Sequence, residues 1–476
     1  MDWNLRFRGD APLYRQLAGA ISSAVEAGRL KPGDRVPSVA DLAKRLKLSK
    51  ITVVKAYGEL ERRGVLSSQV GRGTFVAEGP ARPTEARPEI TRSIRKLRET
   101  YARGLREILS LDRPPGTLNL AAGVPHPGTV PDGTLERLTK VALAKNPRRL
   151  HEFSASGLPE LREAIAARHP GVASDQVLVT NGSQQALNLL ACWALEEGRP
   201  VACETPTFTG VPGSFQIVGH SVESVPWGRP PSGRALLYVC PDFHNPTGQT
   251  LGEEDRRAIA EWAQRNDGLV VSDEIFRDLR FAGQAPPSLY SLAPPGRRVM
   301  VGSLSKTFMT GLRAGFLIAD RPLVQDLLAY KRYMDLGGPA LTQAVAAVFL
   351  RDGYEDHLVG MREYYRVRRD AVLKALPGMP EGTTWTKPEG GSQMWVTLPR
   401  GLSSIRLYLL ALERGVAISP GPAHDIDGRF VNCFRIGYGH LAPEELKDAV
   451  GRLAEAVKTL LRQGPVESAT GLGIHV

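Results

Sequence analysis

Ser303-Leu304-Ser305-Lys306 closes an apolar run, Val299-Met300-Val301, and is followed at a short interval by Gly311-Leu312-Arg313. The run reads as a buried strand, so the lysine falls just past a strand end. A lysine in such a half-buried place can give up its proton and condense with an aldehyde. The hydroxyls and the arginine around it suit a phosphate. Taken alone, S-x-S-K fits an ordinary solvated lysine better, and three stretches upstream tip the balance.

Asn181-Gly182-Ser183-Gln184-Gln185 follows a strand-like segment, 177–180, and opens a helix with apolar periodicity over 186–195. A small-residue turn at a helix start presents free N–H groups and the positive end of the helix dipole, which together bind phosphate. Asn245-Pro246-Thr247-Gly248 follows a second strand, Leu236-Leu237-Tyr238-Val239-Cys240, and sets an amide beyond the sheet edge. A plain Asn-Pro turn has the same look. Ser272-Asp273-Glu274-Ile275-Phe276 ends Leu269-Val270-Val271 with a carboxylate, where helix caps are also common. The order carries the reading: phosphate turn, Asn, Asp, Lys. An ionised Asp beside a pyridine nitrogen keeps that nitrogen protonated, and the ring then acts as an electron sink.

From about residue 115 onward the sequence resembles the fold-type-I aminotransferases. The resemblance implies an α/β body, with a large lobe on a mostly parallel seven-stranded sheet and a small C-terminal α+β lobe. It implies pyridoxal 5'-phosphate (PLP) as cofactor, Lys306 as the Schiff-base lysine and Asp273 as partner of the pyridine nitrogen. Asn245 is given to the phenolic oxygen, and Gly182, Ser183, Gln184, Ser303 and Arg313 to the phosphate. Phe208, in Thr205-Pro206-Thr207-Phe208, takes the position that stacks on the ring. Arg435, in Cys433-Phe434-Arg435-Ile436-Gly437, fits the arginine that grips a substrate carboxylate through a bidentate fork.

Three phenols of that pattern are missing. Phe276, in the cofactor-binding set, stands where a tyrosine usually donates to the phenolic oxygen. Phe208 replaces another common tyrosine. Phe153, within 152–157, lies nearest to where a partner subunit's tyrosine usually reaches the phosphate. Loss of the first donor is expected to raise the Schiff-base pKa and to slow the proton transfers of transamination.

The N-terminal quarter has its own pattern. Residues 12–28 read as a helix with Leu13, Leu17, Ala20, Ile21 and Ala24 on one face. A turn-rich connector, 30–38, leads to a helix over 39–46. After Lys47-Leu48-Ser49 comes a third helix, capped by Ser49, running to about Arg63 and stopped by Gly64. Two short strands, 65–69 and 74–77, join through Gly71-Arg72-Gly73. This makes a winged helix-turn-helix, its third helix sized for the major groove and its Arg72 tip for the minor groove. Residues 1–111 hold 22 Lys+Arg against 12 Asp+Glu, so ten of the chain's eleven net positive charges fall there. Such an excess is the footprint of phosphate-backbone binding.

The segment looks like the GntR-family DNA-binding domain through L-A-K-R-L (42–46), T-V-V-K-A-Y (52–57) and G-R-G-T-F-V (71–76). The resemblance implies Arg35, Ser38, Ser49, Lys50, Thr52, Lys55 and Arg72 as DNA contacts. Ala40 and Lys50 occupy positions that are usually arginine, and lysine lacks the fork that reads a guanine edge.

A GntR-type winged helix ahead of a fold-type-I body is the layout of the MocR-type regulators, so the resemblance covers nearly the whole chain. The expected parts are a DNA-binding domain over 1–78, a linker over 79–115 and a PLP-binding body over 116–476. In the linker Ile90, Ile94, Leu97, Tyr101, Leu105, Ile108 and Leu111 recur at helical spacing on a basic helix. The implied protein is a PLP-binding, DNA-binding transcriptional regulator whose body senses PLP or an amino compound. The alternative is an active amino-acid aminotransferase carrying a DNA-binding domain. A homodimer on double-stranded operator DNA is expected. No apolar run approaches the roughly 20 residues of a membrane span, and Met1-Asp2-Trp3-Asn4 does not read as a leader. Four cysteines, at 192, 203, 240 and 433, have no paired spacing. They fit the bacterial cytosol, with the protein on the nucleoid when DNA-bound, and no metal site.

Overall fold

The computed structural model describes residues 13–46, 48–62, 65–69, 73–77, 114–145, 147–151 and 153–464. They belong to two compact units, one within residues 1–92 and one within 93–476. The basic helix expected in the linker lies outside the described residues, as do Arg72 at the wing tip and the helix stop at Arg63 and Gly64.

In the first unit α1 (Leu13–Glu26), α2 (Val39–Leu46) and α3 (Lys50–Arg62) precede a ribbon of β1 (Leu66–Gln69) and β2 (Gly73–Val76). The three- and four-residue spacing of α1 buries Leu17, Ile21 and Ala24 against Leu42, Val53, Ala56 and Leu60. Ser38 caps α2, its hydroxyl accepting from the Asp41 N–H at 3.2 Å, and Ser49 caps α3 through the Thr52 N–H at 3.1 Å. The buried Tyr57 donates to the Pro37 carbonyl at 2.7 Å, fixing α3 to the connector ahead of α2. The ribbon is antiparallel, Leu66 opposite Val76. Arg35 bridges to Phe75 and widens it. Gly73, at φ +114°, leaves room for the Arg35 guanidinium, which a Cβ there would meet at 2.9 Å.

The strands of the second unit are β3 (Leu118–Asn119), β4 (Val177–Asn181), β5 (Val201–Thr205), β6 (Val222–Pro226), β7 (Leu236–Val239), β8 (Leu269–Asp273), β9 (Arg298–Ser303), β10 (Ala314–Ala319), β11 (Thr384–Trp385), β12 (Gln393–Thr397), β13 (Val416–Ala417), β14 (Ser419–Pro420) and β15 (Cys433–Gly437). Seven form one sheet in the order β4-β10-β9-β8-β7-β5-β6. β10 runs antiparallel to both neighbours, and the pairs among the others are parallel. β5, β7 and β8 are buried along their whole length, which explains why they read as unbroken apolar runs without alternation. β6, at the edge, is half exposed and ends in Pro226.

This topology decides where chemistry can happen. The carboxyl ends of β4, β5, β7, β8 and β9 lie along one edge, and antiparallel β10 begins there. Ligands bind at such an edge in open α/β sheets. A second, antiparallel sheet, β11-β12-β15-β14, forms the small lobe, and β13 pairs with β3. The last helix, Pro443–Gln463, buries Leu446, Val450, Leu453, Val457 and Leu460 at helical spacing. No helix of the described residues is long and apolar enough to cross a membrane.

Candidate cofactor-binding site

Each sequence-predicted site residue of the body sits at that edge or faces it from the small lobe. Gly182 follows β4, Phe208 follows β5, Asn245 follows β7, Asp273 ends β8, Ser303 ends β9 and Arg313 precedes β10. Arg435 comes from β15. Its Nη1 donates to Asn245 Oδ1 at 2.8 Å, which leaves the amide NH₂ of Asn245 to donate elsewhere.

The turn after β4 is shaped by two glycines. Gly182 (φ +80°, ψ 167°) adopts a backbone that side chains avoid, and it starts the helix Ser183–Glu196. Gly315 of β10 passes against it, so close that a Cβ on Gly315 would lie 2.6 Å from the Gly182 Cα. Arg313, itself left-handed at φ +52°, reaches back over the turn and donates to the Asn181 carbonyl at 3.2 Å. The turn therefore offers helix N–H groups and an exposed guanidinium in one place. The Gln184 side chain is engaged elsewhere, with Ser214 and, at 3.2 Å, the Gly210 carbonyl. Its remaining offer to an anion is its main-chain N–H. The Ser303 hydroxyl lies within the strand-end turn, 3.0 Å from the Ser305 hydroxyl and 3.2 Å from the Ala314 carbonyl. The Phe208 ring lies against Gly210, next to Gln184.

Lys306 donates through Nζ to the Gly123 carbonyl at 2.6 Å. Burial lowers its amine to about 8, and Arg435 and Arg313 push the same way against the pull of Asp273. At neutral pH about a tenth of such an amine is unprotonated, far more than for a free lysine. Asp273, 3% exposed, is raised by burial to about 6, while the hydrogen bonds from Tyr238 and the Ile275 N–H oppose the rise. The Phe276 ring is buried, with its centroid 6.0 Å from the Lys306 amine.

Several contributors carry little or no signal in the sequence. Segment Ala121-Ala122-Gly123 lies between the lysine and Arg435: Gly123 accepts from Lys306, and Ala121 accepts from Arg435 Nη2 at 2.8 Å. Nothing in its composition marks it. Tyr238 reads only as part of a strand, yet its phenol donates to Asp273 Oδ2 at 2.7 Å. The available signal is a phenol inside a buried strand, which must find a partner. Asp335 collects Asn181, Gln185 and Lys331, each at 2.7 Å, and so ties a loop to the end of β4. Arg256, fully buried, directs its five N–H groups to Leu251, Pro241, Pro287 and both oxygens of Asp242. That clamps the loop carrying Asn245.

In the first unit Arg35, Lys50 and Lys55 are exposed. The hydroxyls of Ser38, Ser49 and Thr52 are engaged in helix caps. Val54, not among the expected contacts, is 55% exposed on α3 between the two lysines.

The body's residues suit PLP. An amine of lowered basicity, a buried carboxylate and an anion-binding turn converge on one edge, and Arg435 keeps a buried Nε without a partner among the described residues. Nor do those residues hold a cluster of three or more His, Cys, Asp or Glu that could bind a metal ion. Residues 115–453 match the family model for aminotransferase class I and II, and residues 13–76 match that for bacterial regulatory proteins of the gntR family. The chain is 30% identical to the HTH-type transcriptional regulator TauR of Rhodobacter capsulatus, over 94% of this chain and 97% of that one. It is 29% identical to the probable rhizopine catabolism regulatory protein MocR of Rhizobium meliloti, over 97% of each. Among solved structures, the α-aminoadipate aminotransferase LysN of Thermus thermophilus, complexed with N-(5'-phosphopyridoxyl)-L-leucine, superposes with a TM-score of 0.71. The two are 32% identical over 77% of this chain and 97% of that one.

Proposed function

The chain belongs to the MocR-type regulators, PLP-binding transcription factors in which a GntR-family domain precedes a fold-type-I aminotransferase body, and on that footing we propose that its cleft reports PLP, or an amino compound reacting there, to the DNA-binding unit. The observation that carries this is the convergence of Lys306, Asp273, Gly182 and Arg313 on one sheet edge in a chain that also carries a winged helix with exposed Lys50 and Lys55.

Bound PLP supplies an aldehyde and an electron-withdrawing ring. The chain's own groups do the rest. Lys306 offers the reactive amine, Asp273 an anion for the ring nitrogen and Asn245 a donor for the phenolic oxygen. Gly182, Ser183, Gln184, Ser303 and Arg313 would hold the phosphate, and Phe208 would supply a ring face. Arg435 takes the carboxylate of an incoming amino acid. On DNA, Lys50 and Lys55 neutralise phosphates while α3 lies in the major groove. A ligand can move this regulator only by binding two arrangements of it unequally.

The partner in solution is a second copy. Phe153 is 78% exposed, Tyr333 94% and Leu336 61%, on neighbouring segments, since the Ser154 carbonyl approaches Gly337. An apolar patch of that kind asks for a cover, and two winged helices on one dimer suit a symmetric operator in the bacterial cytosol.

An aminotransferase reading keeps one supporting observation: Lys306, Asp273, Asn245 and Arg435 are all present, with Arg435 bonded to Asn245 and the charges of Arg435 and Asp273 acting on Lys306. The missing hydroxyl at Phe276 weighs against fast turnover. Conversion of bound cofactor by a common amino acid at about 1 s⁻¹ or faster would establish the enzyme.

The regulator is tested by purifying the full chain and Lys306→Ala, recording visible absorbance with added PLP, and running gel shifts on the DNA upstream of its own gene with and without PLP. The expected result is a coloured wild type, a colourless variant and a PLP-dependent shift in the wild type alone. A colourless wild type overturns the cofactor role.

A further inference from the structure

We propose that Tyr238 is a positioning residue for the cofactor: its phenol fixes the Asp273 carboxylate and holds it anionic for the ring nitrogen. The inference rests on the cleft being a PLP site.

Tyr238 cannot be a chance neighbour. It is 1% exposed and lies in β7, in register with Cys203 of β5 on one side and Val271 of β8 on the other. Its phenol therefore has a fixed address, 2.7 Å from Asp273 Oδ2. The other oxygen, Oδ1, receives the long 3.3 Å bond from the Ile275 N–H. One oxygen is thus anchored along the sheet, and the other is left with capacity for a group in the cleft.

The electrostatics say what the anchor does. The groups that act on Asp273 are Tyr238 and Cys240 from β7 and its end, Glu204 from β5, and Lys306 beyond β9. Glu204 is itself an acid in the interior, 1% exposed, and it disfavours a second negative charge nearby. The Cys240 thiol points instead at the Asp242 carbonyl. Among the described residues that leaves Tyr238 as the side chain that donates to the carboxylate. Burial and the adjacent Asp273 push the phenol's own pKa well up, so it stays a donor throughout the physiological range. Without it, a carboxyl already raised to about 6 would be neutral near pH 7, and a neutral acid does not hold a proton on the ring nitrogen.

The test compares wild type, Tyr238→Phe, Asp273→Asn and the double variant as full-length proteins stripped of cofactor. PLP affinity is titrated from pH 5 to 9, and folding is checked by circular dichroism. Asp273 has a raised folded pKa, so PLP binding should weaken as pH falls through about 6 in the wild type. In Tyr238→Phe that loss should move up by about 1–2 pH units, the size expected for one lost hydrogen bond to a charged group. Asp273→Asn should show no such transition, and it supplies the background from Lys306 and the PLP phosphate. The double variant should match Asp273→Asn. Should Tyr238→Phe not fold, 3-fluorotyrosine at position 238, a more acidic donor of nearly the same shape, should move the transition downward. An unmoved transition in either Tyr238 variant overturns the proposal, as does a double variant that binds PLP about tenfold worse than Asp273→Asn. Failure of the wild type to bind PLP at any pH removes the cofactor reading beneath it.

Discussion

Replacing Gly182 with alanine imposes two penalties on a single turn. The backbone at φ +80° and ψ 167° strains any residue with a side chain by about 1–3 kcal/mol. The new Cβ would also collide with the Arg313 guanidinium, which now rests on the Asn181 carbonyl at 3.2 Å. Arg313 has to move aside, and a phosphate bound there loses a charge-assisted hydrogen bond worth about 1.5–3 kcal/mol. At about 1.4 kcal/mol per decade, PLP should bind roughly 10–100 times more weakly. Equilibrium titration of the stripped protein measures this, with pyridoxal, which lacks the phosphate, as comparison ligand. The loss should be confined to PLP. Arg313→Ala should reproduce it, and the double variant should add little, because both changes remove one shared interaction. Unchanged PLP affinity in Gly182→Ala, or an equal loss for pyridoxal, would refute the placement of the phosphate at this turn.

Because Lys306 is lowered to about 8, the rate at which the stripped protein captures PLP should climb as pH rises through that value, which stopped-flow absorbance follows. A rate that stays flat until about pH 10, the range of an ordinary lysine, would deny the lowered amine. Phe276→Tyr restores a donor beside the phenolic oxygen, so the bound cofactor's visible absorbance should titrate at lower pH than in the wild type; an identical titration would show that the ring at 276 does not face that oxygen. Arg256→Met removes five hydrogen bonds around Asp242 and should cost the body about 3–5 kcal/mol in urea unfolding. On random duplex DNA, Lys55→Ala should lower the salt slope of binding by about 1 across all sequences. Val54→Ala should leave that slope alone and change which sequences a selection recovers.

The sequence is most readable where one residue type has one job. Lys306 after an apolar run, Gly182 before a helix and Asp273 at a strand end are each ambiguous alone; their order along the chain marks them, and the structure brings them to one edge. The α1–α3 pattern is equally plain, since helical spacing of apolar residues fixes a buried face. What stays hidden is partnership across distance. Arg435 and Asn245 are 190 residues apart when they meet, and Ala121 and Gly123 contribute carbonyls, which carry no signature of residue type. Tyr238 looks like one more apolar position because its ring is one; only the 35-residue jump to Asp273 gives its hydroxyl a purpose. Ser38 and Ser49 show the reverse: a hydroxyl at a helix start serves its own backbone first.

The sheet distributes its tasks with one strand per task. Anion turn, stacking ring, amide, acid and amine stand at the tips of separate strands, held in one sheet much as keys share a frame. Rewriting one tip, as phenylalanine does at position 276, removes one hydroxyl and leaves the residues at the other tips unchanged. A lineage could therefore trade catalysis for sensing one tip at a time, keeping its grip on the vitamin at every step.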